Sequence, residues 1–243
     1  MEGTRTVGPP LIEVVFLDAG ETILHPHPSF PELFAIVSER YGRPLEVEKI
    51  REVQERLAPH LVDLADETGV EDPSLSAEAS WAFWSYLYRR LLAELGVEDE
   101  ALVKELYAAF SSSASYALFD DALPAMRELQ GAGYRLGLIS NFEQWLEEML
   151  VELEVGHLFD VSVISGLEGV EKPDPAIYKL ALERAGVAPE NAVHVGDSPA
   201  MDMEPAESVG IRGVLLDRKG RYPSRPETRI ASLKELPQLV ANW

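Results

Sequence analysis

Residues 12–24 read IEVVFLDAGETIL. The stretch 12–17 is an apolar, β-branched run. Such a run suits a strand buried on both faces, as in a parallel sheet covered by helices. It stops at Asp18, and the turn Ala19-Gly20-Glu21-Thr22 follows.

Working outward, residues 116–243 repeat the theme. Helical patterns at Ala122–Gln130, Phe142–Leu153, Pro175–Ala185, about Met201–Ser208 and Leu233–Val240 alternate with strand-like runs at Arg135–Ile139, Val161–Ile164, Ala192–Val195 and Gly213–Leu216. Strands and helices alternating across short turns mean an α/β fold with a doubly wound parallel sheet. Arg221–Arg229, with Pro223 and Pro226, reads as a loop.

Between these parts the pattern is helix only. Ser29 stands as an N-cap before a helix bearing Leu33, Phe34, Ile36 and Val37. A second helix is predicted from about Val47 to Thr68, kinked at Pro59 and stopped by Gly69. A third covers about Ala77–Leu95, with Trp81, Trp84, Leu87, Tyr88, Leu91 and Leu95 spaced by three and four, before Gly96. A fourth covers about Glu100–Phe110. Four helices without a strand cannot be a βαβ layer, so 25–115 is expected to be an inserted α-helical cap, with 1–24 and 116–243 as the core domain. The third helix is apolar on more than one face. That suits packing against the core domain, or against a second copy in a homodimer.

The chain has 243 residues, 46% of them hydrophobic, with 42 acidic against 21 basic residues and a net charge of -21. Such a surface repels nucleic acid and anionic membranes, so neither is expected as a partner. With no cysteine, disulfides, thiolate metal sites and a Cys nucleophile are excluded. Met1–Pro10 has no apolar signal core, and the apolar stretch Ala79–Leu95 is broken by Arg89-Arg90, so a cytoplasmic location is the expectation.

Ligands of open parallel sheets bind beyond the carboxyl ends of the strands. Asp18 follows the first strand. Ser140 and Asn141 follow the second, and Gly196-Asp197-Ser198, with Asp202 beyond, follow the fourth. Lys172 lies in Glu171-Lys172-Pro173-Asp174-Pro175, which leads into a helix. Each alone reads as a cap or turn residue. Their coincidence at strand ends points to one crevice. A carboxylate can attack phosphorus. Two carboxylates facing a phosphate dianion need a cation between them, and Mg²⁺ suits oxygen ligands. Asp18 and Asp197 are the ligand candidates, with the Gly20 carbonyl as a third. Lys172 offers a fixed positive charge, and the Ser140 hydroxyl and Asn141 amide can donate to a phosphoryl oxygen.

FLDAGETIL at 16–24, LISN at 138–141, EKPDPAIY at 171–178 and HVGDSPAMD at 194–202 together resemble the four ordered motifs of the haloacid-dehalogenase-like hydrolase superfamily. The resemblance covers nearly the whole chain. It implies a Rossmann-like core with a helical cap and a small phosphorylated substrate. It further implies Asp18 as nucleophile, phosphate binding at Ser140 and Asn141, charge balance at Lys172, and magnesium at Asp197 and, directly or through water, Asp202. Cap closure would exclude water.

One position departs from that pattern. Phosphatases of the superfamily carry a second Asp two residues after the nucleophile, as general acid and base; here Gly20 stands there, followed by Glu21. Loss of such a group costs about 10²–10⁴-fold in rate. Glu21, His25 or His27 could supply the proton, or the substrate could have a good leaving group. A 2-haloacid dehalogenase-like reaction is the alternative, since halide leaves unprotonated, although Gly196-Asp197-Ser198 is the metal-binding form of the fourth motif. The cap holds only Lys49 and Lys104, neither in a site-facing motif, which disfavours the phosphonate-cleaving branch. A further alternative is a binding protein without turnover, with the aromatic helix (Trp81, Phe83, Trp84, Tyr86, Tyr88) as partner surface.

Overall fold

The opening run forms β1 (Val14–Leu17), buried at all four positions. The structure is a computed structural model that describes residues 12–58, 67–70, 72–224 and 228–243. After β1 come β2 (Leu24–Pro26), α1 (Phe30–Arg40), α2 (Val47–Leu57), α3 (Ala77–Glu94), α4 (Glu100–Phe110) and β3 (Tyr116–Leu118). Then follow α5 (Ala122–Gly131), β4 (Arg135–Ser140), α6 (Leu146–Glu152), β5 (Val161–Ile164), α7 (Ser165–Glu168), α8 (Pro175–Ala185) and β6 (Ala192–Gly196). The chain ends with α9 (Glu204–Ser208), β7 (Arg212–Leu216), β8 (Arg229–Ile230) and α10 (Leu236–Ala241).

Six strands form one sheet in the order β5-β4-β1-β6-β7-β8, every neighbouring pair parallel. This is the doubly wound α/β sheet expected, with β1 between β4 and β6. Side chains alternate across a strand, so successive residues of β1 enter different cores. Val15 and Leu17 pack with Met126, Leu129, Met149 and Leu236 on one face. Val14 and Phe16 pack with Ile177, Tyr178 and Ala181 of α8 on the other. Gly137 of β4 lies under the Phe16 ring, and any Cβ there would overlap it. The helices α1–α4 share a separate apolar cluster that includes Phe34, Ile50, Leu91 and Leu106.

Ser29 caps α1, its hydroxyl accepting from Glu32 N at 3.4 Å. α2 is described only to Leu57; the predicted continuation through Pro59 falls on 59–66, outside the described residues. In α3, Phe83 and Tyr88 are buried, whereas Trp84 is 36% exposed. No described helix is long and apolar enough to cross a membrane.

The structure corrects four expectations. The helix predicted from Phe142 starts at Leu146, because the Phe142 backbone is already bonded: its N donates to Ser165 Oγ (2.9 Å) and its carbonyl accepts from Gly166 N (3.0 Å). The helix predicted at Met201–Ser208 is a wide turn over Pro199–Met203, where Met203 N reaches Ser198 O five residues back (3.3 Å), followed by α9. Arg229, placed in a loop, opens β8 on the sheet edge. β2 and β3, not predicted, pair antiparallel where the chain leaves the sheet and returns to it.

Candidate functional site

The carboxyl ends of β1, β4 and β6 lie side by side. Asp18 N donates to Val195 O (2.9 Å), which ties the first residue after β1 to the end of β6. Ser140 is the last residue of β4 and is buried. Gly196 closes β6, and Asp197 follows it.

Lys172 is the hub. Its side chain is buried, and Nζ donates to Asp18 Oδ1 and to Asp202 Oδ1, both at 2.7 Å. The Asn141 side chain holds the Lys172 backbone from both sides: Nδ2 donates to its carbonyl (2.7 Å), and Oδ1 accepts from its amide (2.6 Å). This places Asn141 as a clamp on Lys172, a use the sequence did not suggest.

Three further residues join the site that the sequence reading passed over. The Thr22 hydroxyl, fully buried, donates to Asp18 Oδ2 at 3.2 Å. The His194 Nε2 lies 3.0 Å from Asp202 Oδ1, and its ring meets Tyr178 edge-on. Tyr178 OH donates to Met201 O at 2.7 Å, fixing the turn that carries Asp202. A polar His inside the otherwise apolar run of β6 was the available signal. Gly196 has to be glycine here, since a Cβ would overlap the Asp202 carboxylate. Asp202 Oδ2 also accepts from Ser198 N at 3.0 Å.

Asp18, Asp197 and Asp202 each offer a carboxylate oxygen, and these oxygens lie within 4.8 Å of one another. The electrostatics divide the three. Burial pushes the Asp18 carboxyl up, against the pull of Lys172. Burial acts the same way on Asp202, but Lys172 and His194 outweigh it and hold Asp202 well below the usual range. Burial would lower Lys172, yet Asp18 and Asp202 keep it firmly charged. Among the described residues no ammonium is hydrogen-bonded to Asp197; burial, then Asp202, Asp18 and Glu21, raise it to about 8. Asp197 is therefore the carboxylate most short of positive charge.

Of the three proton candidates, Glu21 lies by a small cleft also lined by Asp197, Arg218, Lys219 and Arg221. The His25 ring rests on Phe119 (4.5 Å between centroids), and its Nδ1 lies 2.8 Å from Pro26 O. His27 is exposed. Lys49 pairs with Glu46 on the surface, and Lys104 is exposed. From the segment before α3, Ser74 N donates to Glu171 Oε2 at 2.9 Å, and within α3 the Ser80 hydroxyl donates to Glu143 Oε1 at 2.6 Å. The helical segment thus touches the residue preceding Lys172.

Comparison with known proteins gives a consistent picture. The profile of the haloacid dehalogenase-like hydrolase family matches residues 12–210. The haloacid dehalogenase-like hydrolase domain-containing protein 3 of Danio rerio is 36% identical over 65% of this chain and 69% of its own. The phosphoserine phosphatase of Thermus thermophilus is 36% identical over 68% of both chains. Among solved structures, a HAD-hydrolase of Bacillus subtilis, YfnB, bound to magnesium, superposes with TM-score 0.73 at 20% identity, covering 95% of this chain and 99% of that one. A 2-haloacid dehalogenase of Pseudomonas syringae pv. Tomato superposes with TM-score 0.61 at 25% identity, over 96% and 100%.

Proposed function

Since the chain belongs to the haloacid dehalogenase-like hydrolase family and is a hydrolase, we propose that it is a Mg²⁺-dependent phosphatase of small phosphorylated metabolites, working through an aspartyl-phosphate on Asp18. The observation that carries this reading is the grouping of three carboxylates, from two segments of the chain, with oxygens within 4.8 Å of one another and two of them hydrogen-bonded to one buried ammonium. Relatives named phosphoserine phosphatase and, in Methanopyrus kandleri at 36% identity, glyceraldehyde 3-phosphate phosphatase support a small phosphorylated substrate.

In this reading Asp18, its carboxylate aimed by the Thr22 hydroxyl and by Lys172, attacks phosphorus as the ester P–O bond breaks and the alcoholate leaves to take a proton from water; a water molecule then cleaves the aspartyl-phosphate, releasing phosphate and restoring Asp18. The phosphoryl oxygens are received by the Ser140 hydroxyl, the remaining Asn141 amide hydrogen and the Lys172 ammonium. Mg²⁺ fits the donor set: all are oxygens, and Asp197, with its pKa near 8, lacks the positive partner that Asp202 already has. Asp18, Asp197 and the Gly20 carbonyl would hold it, with Asp202 acting directly or through water, since both its oxygens already accept hydrogen bonds. Bound there, it would neutralise charge on the phosphoryl group. In this reading the described residues of 1–24 and 116–243 belong to the core domain and those of 25–115 to the cap, and the Ser74–Glu171 and Ser80–Glu143 contacts belong to closure of that cap over the site.

A haloacid reaction needs no cation. A carboxylate-bearing haloacid approaching three clustered carboxylates would also be repelled. The test offers p-nitrophenyl phosphate, acetyl phosphate and 2-chloropropionate in Mg²⁺ or EDTA. Phosphate release that requires Mg²⁺ and vanishes in Asp18→Asn is the expected result. Chloride release indifferent to EDTA would replace this reading with a dehalogenase, and absence of any turnover with Mg²⁺ bound would replace it with a binding protein.

A further inference from the structure

We propose that the turn 217–222 after β7 is a second anion subsite, so that the preferred substrate is a small phosphate monoester whose alcohol part carries a further carboxylate or phosphate. The inference rests on the phosphatase reading and names the substrate class for that same site.

The argument begins with where the positive charge is. The chain has 21 cations against 42 acids, yet Arg218, Lys219 and Arg221 stand within four residues. They line one cleft together with Glu21 and Asp197, at the edge of the carboxylate cluster. On so acidic a surface, a substrate with a doubly anionic character is repelled everywhere except where cations gather.

The loop is built to hold its shape. Arg218 is engaged internally: its guanidinium grips Asp121 through two 2.8 Å bonds, donates to Thr22 O at 2.9 Å and lies 4.0 Å over the Phe119 ring. Asp217 accepts from Arg221 N (2.7 Å) and Tyr222 N (3.0 Å), closing a turn around Gly220 at φ 65. With the backbone pinned at both ends, the exposed side chains of Lys219 and Arg221 project from a fixed platform.

Lys219 is also poised to change partner. Its Nζ lies 3.5 Å from Glu21 Oε2, with the two side chains 56% and 46% exposed. A long, solvated pair of this kind contributes little and exchanges readily for a better anion. Glu21 itself is set by its backbone, at φ 55 with its N donating to Leu24 O (2.8 Å). Glu21, Lys219 and Asp197 line the same cleft, and Asp197 also belongs to the carboxylate cluster, so the cleft opens beside the reaction centre. A substrate with its phosphoryl group at Asp18 and its tail towards this cleft would replace Glu21 as the anion facing Lys219, with Arg221 beside it.

The experiment uses three esters on one scaffold: glycerol 3-phosphate, with a neutral tail, 3-phosphoglycerate, with a carboxylate, and glycerol 1,3-bisphosphate, with a second phosphate. Wild type is expected to show higher kcat/KM for one or both charged tails, a preference that shrinks as salt shortens the screening length to about 3 Å at 1 M. The variant Lys219→Gln/Arg221→Gln should lower the charged-to-neutral ratio about tenfold or more, chiefly through KM. Lys219→Glu should lower it further. Which tail loses more in the variants tells a carboxylate subsite from a phosphate one. Equal kcat/KM for all three esters in wild type, or an unchanged ratio in both variants, overturns the subsite while leaving the phosphatase reading intact. Absence of turnover even of p-nitrophenyl phosphate removes the phosphatase reading, and the subsite falls with it.

Discussion

Installing the missing proton donor is the sharpest test of how the site works. Gly20→Asp puts a carboxyl two residues after Asp18. The backbone accepts it, since a Cβ there meets nothing within 4 Å and Gly20 is not in the left-handed region. A positioned general acid is worth about 10²–10⁴-fold. Against this, a fourth carboxylate enters beside Asp18 and Asp197; a like charge ~6 Å away costs about 3 kcal/mol at an effective dielectric of ~20. That repulsion raises the new carboxyl's pKa, which keeps it protonated, the state a donor needs. The expected gain is roughly 10- to 100-fold in kcat/KM for an alkyl ester such as glycerol 3-phosphate, at or below the foot of the general-acid range because of that repulsion. For p-nitrophenyl phosphate, whose phenolate leaves unaided, the gain should be under about threefold. The assay is kcat/KM over a leaving-group series in saturating Mg²⁺, and its slope should flatten in the variant. A uniform change across the series, with thermal midpoint and Mg²⁺ binding preserved, would refute the idea that an unfilled donor position limits this site.

Three other outcomes follow from the same geometry. Lys172→Met leaves Asp18 and Asp202 buried without their ammonium; activity should vanish and stability should fall by about 3–5 kcal/mol in urea titration. Gly196→Ala drives a methyl into the Asp202 carboxylate; a loss of about 1–3 kcal/mol is expected, with a fall in kcat, read by denaturation and steady-state kinetics. Asp197 has a folded pKa of about 8 against an ordinary 3.8, so between those values the native state holds a proton that the unfolded chain lacks. The Asp197 contribution is therefore fully present below pH ~4 and lost as pH rises through ~8. EDTA-treated protein should show a falling Tm from pH 6 to 9, and the stabilisation by Mg²⁺ should grow over the same range; a pH-independent Mg²⁺ effect would contradict the assignment.

What the sequence made visible was whatever is buried on two sides. β1 and β4–β7 are nearly unbroken apolar runs because helices cover both faces, and the acids at their ends stand out against that background. The three-residue strands β2 and β3 are too short to show a period of two. β8 has two residues, and only Ile230 of them is apolar and buried, too short a run to mark a strand. The late start of α6 is a tertiary effect: Ser165, distant in sequence, takes the Phe142 hydrogen bonds a helix would need. At the site, residue types at strand ends were legible, but division of labour was not. That Asn141 clamps a backbone, and that Asp202 rather than Asp197 shares the lysine with Asp18, depends on side-chain directions that no spacing encodes.

The antiparallel pairing of β2 with β3 has a consequence for how such a molecule can diversify. The chain departs from and rejoins the sheet through two strands whose backbones are hydrogen-bonded neighbours, Leu24 opposite Leu118 and Pro26 opposite Tyr116. Whatever lies between them must bring its ends to hydrogen-bonding distance, and beyond that it is tied to the rest by side-chain contacts such as Ser74–Glu171 and Ser80–Glu143. Loop length is a mild entropic burden, about 0.6 kcal/mol per doubling. The stretch from α1 to α4 is therefore a replaceable cassette: it can be lengthened, reshaped or exchanged while the doorway, and the acids behind it, stay where they are.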